Sequence, residues 1–113
     1  LPTLRGRACF ARVLGAGQAR RSNGVVLHWI QNGLTGNRYG IAAKASTGTA
    51  VTRNRVRRWA RELLRRWDAR LAPGYDVVVI ARSREAAEDY WQFADHLAHT
   101  LLKAELAQPG ELS

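Results

Sequence analysis

The stretch TRNRVRRWARELLRRWDAR, residues 52–70, gathers eight arginines against two acids, Glu62 and Asp68. Guanidinium groups at this density suit phosphate, because each stays charged and presents a planar fork of donors. The bland alternative is a solvated helix face in which Glu62 pairs with Arg58 and Arg66 at i±4. Even with both acids fully used, six positive charges remain over. Exposed pairs return only about 0–1 kcal/mol each, a poor reason to collect so many like charges. Other chemistry is thinly supplied. His96 and His99 stand three apart without a nearby Cys or carboxylate to complete a metal set, and are expected to be surface histidines. His28 has no partners for a general-base role, and Cys9 sits among apolar residues as a small core side chain. The Gly-Ala-Gly at 15–17 follows no strand and is no nucleotide loop. No catalytic residue and no metal ligand are expected in the chain itself.

The arginines need a helix to align them. From about Asn54 to Leu71, apolar residues fall at Val56, Trp59, Ala60, Leu63, Leu64, Trp67 and Leu71. At about 100° per residue these share one face. Asn54, Arg58, Arg61 and Arg65 then form a stripe on the other, with Arg57 alongside. Upstream, RACFARVLGA (7–16) reads as a short helix with Cys9, Phe10, Val13 and Leu14 on one side and Gly17 as its stop. VVLHWI (25–30) reads as a strand, its alternation separating Val26, His28 and Ile30 from Val25, Leu27 and Trp29. QNGLTGN (31–37) is turn chemistry, and RYGIAAKA (38–45) follows as a strand expected to pair antiparallel with the first. YDVVVIAR (75–82) is apolar enough to be central. Asp89 with Gln92 marks the start of a last helix, buried through Tyr90, Phe93, Ala94, Leu97, Leu101 and Leu102. The tail from Ala107, and above all 108–113, is expected to fray. This order implies an α+β sandwich in one domain, 1–113.

Bulk properties narrow the partner. The chain has 113 residues, 46% of them hydrophobic, and no apolar run near the ~20 needed to span a bilayer. A membrane partner is therefore not expected. The opening LPTLRGRACF lacks a long apolar stretch, and a single cysteine forms no internal disulfide, so the expected compartment is the cytoplasm. Eighteen Lys and Arg against nine acids give a net charge of +9, and all but Lys44 and Lys103 of those cations are Arg. Such an excess on a small domain implies a polyanionic partner, nucleic acid first.

The order of residues says more than the charge. RNRVRRWARE fits R-N-R-x-[KR]-R-x-x-R-E and follows GTAV at 48–51. With LRGRACFARVLGAG at 4–17, RYGIAA at 38–43 and DVVVIAR at 76–82, the chain resembles the bacterial ribonuclease P protein subunit along nearly its whole length. That subunit is the small basic partner of the catalytic RNA that removes 5′ leaders from precursor tRNA.

The resemblance implies a two-layer α/β sandwich with a mostly antiparallel sheet and a left-handed strand–helix–strand crossover carrying the arginine helix. It implies that Arg53, Asn54, Arg55, Arg57, Arg58 and Arg61 face the catalytic RNA; Arg65 and Arg66 lie just beyond the motif and extend the patch. It also implies a cleft between the N-terminal helix and the open sheet face for the single-stranded leader, with Phe10 at a matching aromatic position. Leu14 and His28 stand where the family carries further aromatics, and Lys44-Ala45-Ser46 departs from a Ser-Lys-Lys run. Arg20, Arg21 and Arg38 are expected to add to the RNA surface. By the same resemblance the hydrolysis belongs to the RNA, with magnesium held by its phosphates, and no small-molecule substrate is implied. Two alternatives are a structural RNA-binding protein of ribosomal type with the same topology and a protein-only nuclease. The ordered motif favours the ribonuclease P reading.

Overall fold

The computed structural model describes residues 1–112. Its elements run α1 (Arg7–Ala16), β1 (Gln18–Ser22), β2 (Val25–Gln31), β3 (Arg38–Ala43), α2 (Ala50–Trp67), β4 (Tyr75–Ala81) and α3 (Tyr90–Lys103). Among these residues no helix is long and apolar enough to cross a membrane.

The sheet order is β1-β2-β4-β3. Strands β1 and β2, and β2 and β4, pair antiparallel, while β3 pairs with β4 in parallel. The antiparallel pairing expected between 25–30 and 38–45 is therefore wrong. The physical reason lies in β4, which has six of its seven residues buried and so takes the centre. The loop after β2 crosses the start of β4: Asn32 N donates to Gly74 O at 2.8 Å, and Tyr75 N donates to Asn37 Oδ1 at 2.8 Å. β3 is thereby carried to the far edge, and α2 becomes the crossover joining two adjacent parallel strands.

A third strand before α2 is β1, whose polar QARRS carries no apolar alternation. Its signal is the turn that follows it. Asn23 and Gly24 have φ of 42° and 75°, and Ser22 pairs with Val25, the two-residue hairpin that Asn-Gly favours.

Helices α2 and α3 cover one sheet face, where Leu27, Trp29, Val77 and Val79 meet Val56, Leu63, Leu64, Trp67, Phe93 and Leu97. Burying a Leu or Val of this kind contributes about 1.5–3 kcal/mol. On the other face α1 packs Val13, with Cys9 and Phe10 half-buried, against Val26, Val78 and Ile80. That face is only partly covered. Helix α2 starts four residues before the expected Asn54, because Thr49 caps it by accepting from Thr52 N at 3.2 Å. Its first turn had been hidden from the periodicity because Val51 is 75% exposed. Asp89 caps α3 as expected, accepting from Gln92 N at 3.0 Å. Beyond α3, Glu105 has φ of 61°, and Leu106 N donates to Leu101 O at 3.0 Å, closing the helix. Ala107, assigned to the fraying tail, is buried, and Leu112 packs on the core; Ser113 lies outside the described residues.

Candidate nucleic-acid interface

The amphipathic period of α2 turns its buried residues to the sheet and leaves the arginines outside. Asn54, Arg58, Arg61, Arg65 and Arg66 are exposed, and Arg53, Arg55 and Arg57 are half-buried on the flanks. Among the described residues, none of these arginines lies in an ion pair. Among the described residues, the pairing of Glu62 with Arg58 or Arg66 does not form. Two residues have neighbours of their own. The Arg57 guanidinium donates to Asn54 Oδ1. Arg55 turns toward the short helical turn at 84–87 that precedes α3 rather than outward: its Nη2 donates to Ala87 O at 3.3 Å, and its guanidinium lies 5.4 Å from the Trp59 ring centre. Arg55 thus sits apart from the outward stripe with which the motif groups it. The result is a row of unpaired guanidiniums along a helix whose N-terminus adds its own positive end.

The second candidate surface is the sheet face beside α1. The tip of the Phe10 ring sits so close to β3 that a Cβ at Gly40 would collide with its Cζ, so glycine there is what admits the aromatic. Leu14 is 44% exposed and stands clear of the sheet, unlike Cys9, Phe10 and Val13 with which it was grouped. His28 is half-buried on the same sheet face as Val26, as the alternation requires. Burial, reinforced by the charges of Arg82 and Arg21, pushes its pKa below the ordinary histidine value. A neutral imidazole flanked by two guanidiniums is the electrostatic signature of this cleft.

The model of the family described as Ribonuclease P matches residues 2–105, a span that takes in both surfaces. The ribonuclease P protein component of Natranaerobius thermophilus is 34% identical over 106 residues, covering 94% of this chain and 92% of that one. That of Caldanaerobacter subterraneus is 33% identical over 102 residues, covering 90% and 88%. Among solved structures, the Staphylococcus aureus RNase P protein superposes with a TM-score of 0.86 at 25% identity, covering 94% of this chain and 97% of that one. The Thermotoga maritima RNase P protein, in complex with 1-(4-fluorophenyl)-2-thiourea, gives 0.79 at 33% identity, covering 87% and 95%.

The chain belongs to the ribonuclease P protein family. It is accordingly a subunit of ribonuclease P, serving tRNA 5′ processing, and the ribosomal-type alternative is not favoured.

For a ribonuclease P protein, the placement of the remaining cations is informative. Of the three arginines expected to widen the RNA surface, two are engaged elsewhere. Arg38 donates through Nε and Nη2 to the Asp76 carboxylate at 2.8 and 2.7 Å. Arg20 lies on the opposite sheet face, 5.9 Å from the Trp29 ring centre. Only Arg21 remains at the cleft. Arg82, which the sequence reading missed, joins it there; its signal was its place at the end of the central strand, level with the start of β2. His96 is held by Ser22 and Asn23 at 2.7 and 3.1 Å, and His99 is exposed. The chain's carboxylates do not suit a magnesium centre. Among the described residues no three His, Cys, Asp or Glu side chains come together, and Asp76 is occupied by Arg38.

Proposed function

We propose that this ribonuclease P subunit binds the catalytic RNA along α2 and holds the 5′ leader of precursor tRNA against the α1 face of the sheet. The observation that carries the reading is the row of exposed, unpaired guanidiniums on α2, Arg58, Arg61 and Arg65 with Asn54 beside them. Arg53, Arg55 and Arg57 flank that row, and Arg66 prolongs it. Phosphate oxygens satisfy such groups without the desolvation that pairing them internally would cost, and each contact releases condensed counterions.

In the cleft, Phe10 offers a ring edge, His28 a neutral polar group, and Arg21 and Arg82 offset the leader's phosphates. Leu14 supplies apolar surface at the rim. An unstacked base on such a surface is worth roughly 1–3 kcal/mol where it stacks on an aromatic, and this cleft has one aromatic rather than several. Phosphodiester hydrolysis is assigned to the RNA, whose phosphates hold the magnesium. The protein's part is to bind, to orient the leader and to reduce repulsion between the two RNAs.

Reconstitution tests this. Added to catalytic RNA and a leader-bearing precursor tRNA at low magnesium, the chain should stimulate correct 5′ cleavage. Absence of stimulation would sink the reading, and cleavage by protein alone would place the chemistry in this chain. Phe10→Ala should weaken affinity for leader-bearing tRNA more than for mature tRNA; equal losses would deny the leader assignment.

A further inference from the structure

A pocket of about 260 Å³ opens at the outer edge of β3, on the flank of α2. Leu4 and Tyr39, each 2% exposed, line its depth, and Arg61 and Arg65 stand at its rim. The N-terminal segment makes one wall. Leu4 N donates to Tyr39 O at 2.8 Å and Tyr39 N donates to Pro2 O at 3.0 Å, so the segment adds a short parallel bridge to β3. The chain then turns away at Gly6 into α1.

That departure leaves a gap. Along a strand, alternate residues direct N–H and C=O to the same side, so Ile41 presents both groups outward as Tyr39 does. The register agrees: Lys44 N, of the other parity, bonds inward to Ala81 O at 2.9 Å. Among the described residues the Ile41 amide and carbonyl find no backbone partner at the edge. An unpaired donor and acceptor, an apolar depth and two unpaired guanidiniums at the mouth therefore converge on one space. Every nucleobase carries a donor and an acceptor side by side on its edge, and every nucleotide carries its phosphate at the opposite end. A neutral peptide strand would satisfy the backbone groups but not the arginines. The volume falls short of the ~300–1,000 Å³ typical of drug-sized ligands and fits a single ring system.

We propose that this pocket receives one unpaired nucleotide of the RNA bound on α2, its base against the Ile41 edge and its phosphate on Arg61 and Arg65. The inference rests on the reading of α2 as an RNA-binding helix, and the experiment separates the two. The full chain, labelled with nitrogen-15, is titrated with hexauridylate and, separately, with inorganic pyrophosphate, following backbone amides by NMR. Hexauridylate should move the amides of Ile41 and Leu4 as well as those of α2, whereas pyrophosphate should move α2 alone. Ile41→Trp fills the pocket and should weaken hexauridylate by about tenfold, the loss of one seated base, with pyrophosphate binding unchanged. Thr3→Trp blocks the mouth from an exposed position, guards against a folding defect in the first variant, and should act in the same direction. The proposal is overturned if hexauridylate shifts are confined to α2, or if both variants bind it like the unmodified chain. It is also overturned if the Ile41 amide shifts with protein concentration alone, which would mean that β3 pairs with a second copy. No response of α2 to either probe would overturn the RNA-binding reading beneath it.

Discussion

Two groups of arginines divide this molecule. Around Asp76, Arg38 makes two hydrogen bonds to a carboxylate that is 1% exposed, Asn32 adds a third at 3.1 Å, and Arg12 stands 3.9 Å away. Along α2, the side chains of five arginines make no hydrogen bond or ion pair among the described residues, namely Arg53, Arg58, Arg61, Arg65 and Arg66. The first group ties the start of β4 to β3 and α1, a structural task. The second is left open in a chain of net charge +9. Charge that serves the fold is paired and covered; charge that serves a ligand is bare until the ligand arrives.

The sharpest break of this contrast is Asp76→Asn. It leaves Arg38 facing a neutral amide, and we expect about 2 kcal/mol of lost stability. That is below the ~3–5 kcal/mol for a fully buried pair, because Arg38 is one-third exposed. Urea midpoints measure it, and RNA affinity of the folded variant should not change. A pH series adds a sign. Burial of Asp76 raises its pKa, but the hydrogen bonds from Arg38 and Asn32 and the charges of Arg38 and Arg12 outweigh that, leaving it below the ordinary value of 3.8. The unfolded chain therefore binds the proton first as pH falls. The stabilisation is complete above about pH 4 and is lost as pH drops through the lower folded value. The gap between parent and variant should thus close in acid; a gap independent of pH would remove the charge from the explanation.

Arg55→Ala probes the boundary between the groups. Losing its contact with Trp59 and its bond to Ala87 should cost about 1 kcal/mol of stability, with a smaller fall in RNA affinity than for an outward arginine. Equal stability for Arg55→Ala and the parent would return Arg55 to the open group.

Which group an arginine joins was only half legible in the sequence. The period of Val56, Ala60, Leu63 and Trp67 gives the helix and its outward stripe directly, because helix faces are local. The motif order RNRVRRWARE gives the family. Neither reveals that Arg38 meets Asp76, which depends on strands brought together from distant positions, whereas Arg20 over Trp29 follows from the register of the local β1–β2 hairpin. The misplaced pairing of β3 has the same origin: a turn-rich loop looks like a hairpin until a more apolar strand, 75–81, claims the centre. β1 was readable from Asn23-Gly24, though its polar residues drew no attention as an edge strand.

Within the open group, Arg58→Ala should leave stability within about 0.5 kcal/mol. It should weaken binding to the catalytic RNA and lower the slope of log K against log salt by about one unit. An unchanged slope would mean that Arg58 touches water rather than phosphate.

The smallest effect belongs to Glu62, the lone acid of α2. If the helix were an ordinary solvated face, Glu62 would be its stabilising partner, and Glu62→Gln would cost a few tenths of a kcal/mol through lost i±4 pairs. No such pair forms, so stability should not change measurably. On the proposed reading the carboxylate lies among guanidiniums that would meet phosphate, where it would repel the RNA. Glu62→Gln should therefore tighten RNA binding by about twofold at low salt, with the gain fading as ionic strength rises and screening shortens. Weaker binding would show that Glu62 orders its neighbours, and that the open group is less open than its geometry.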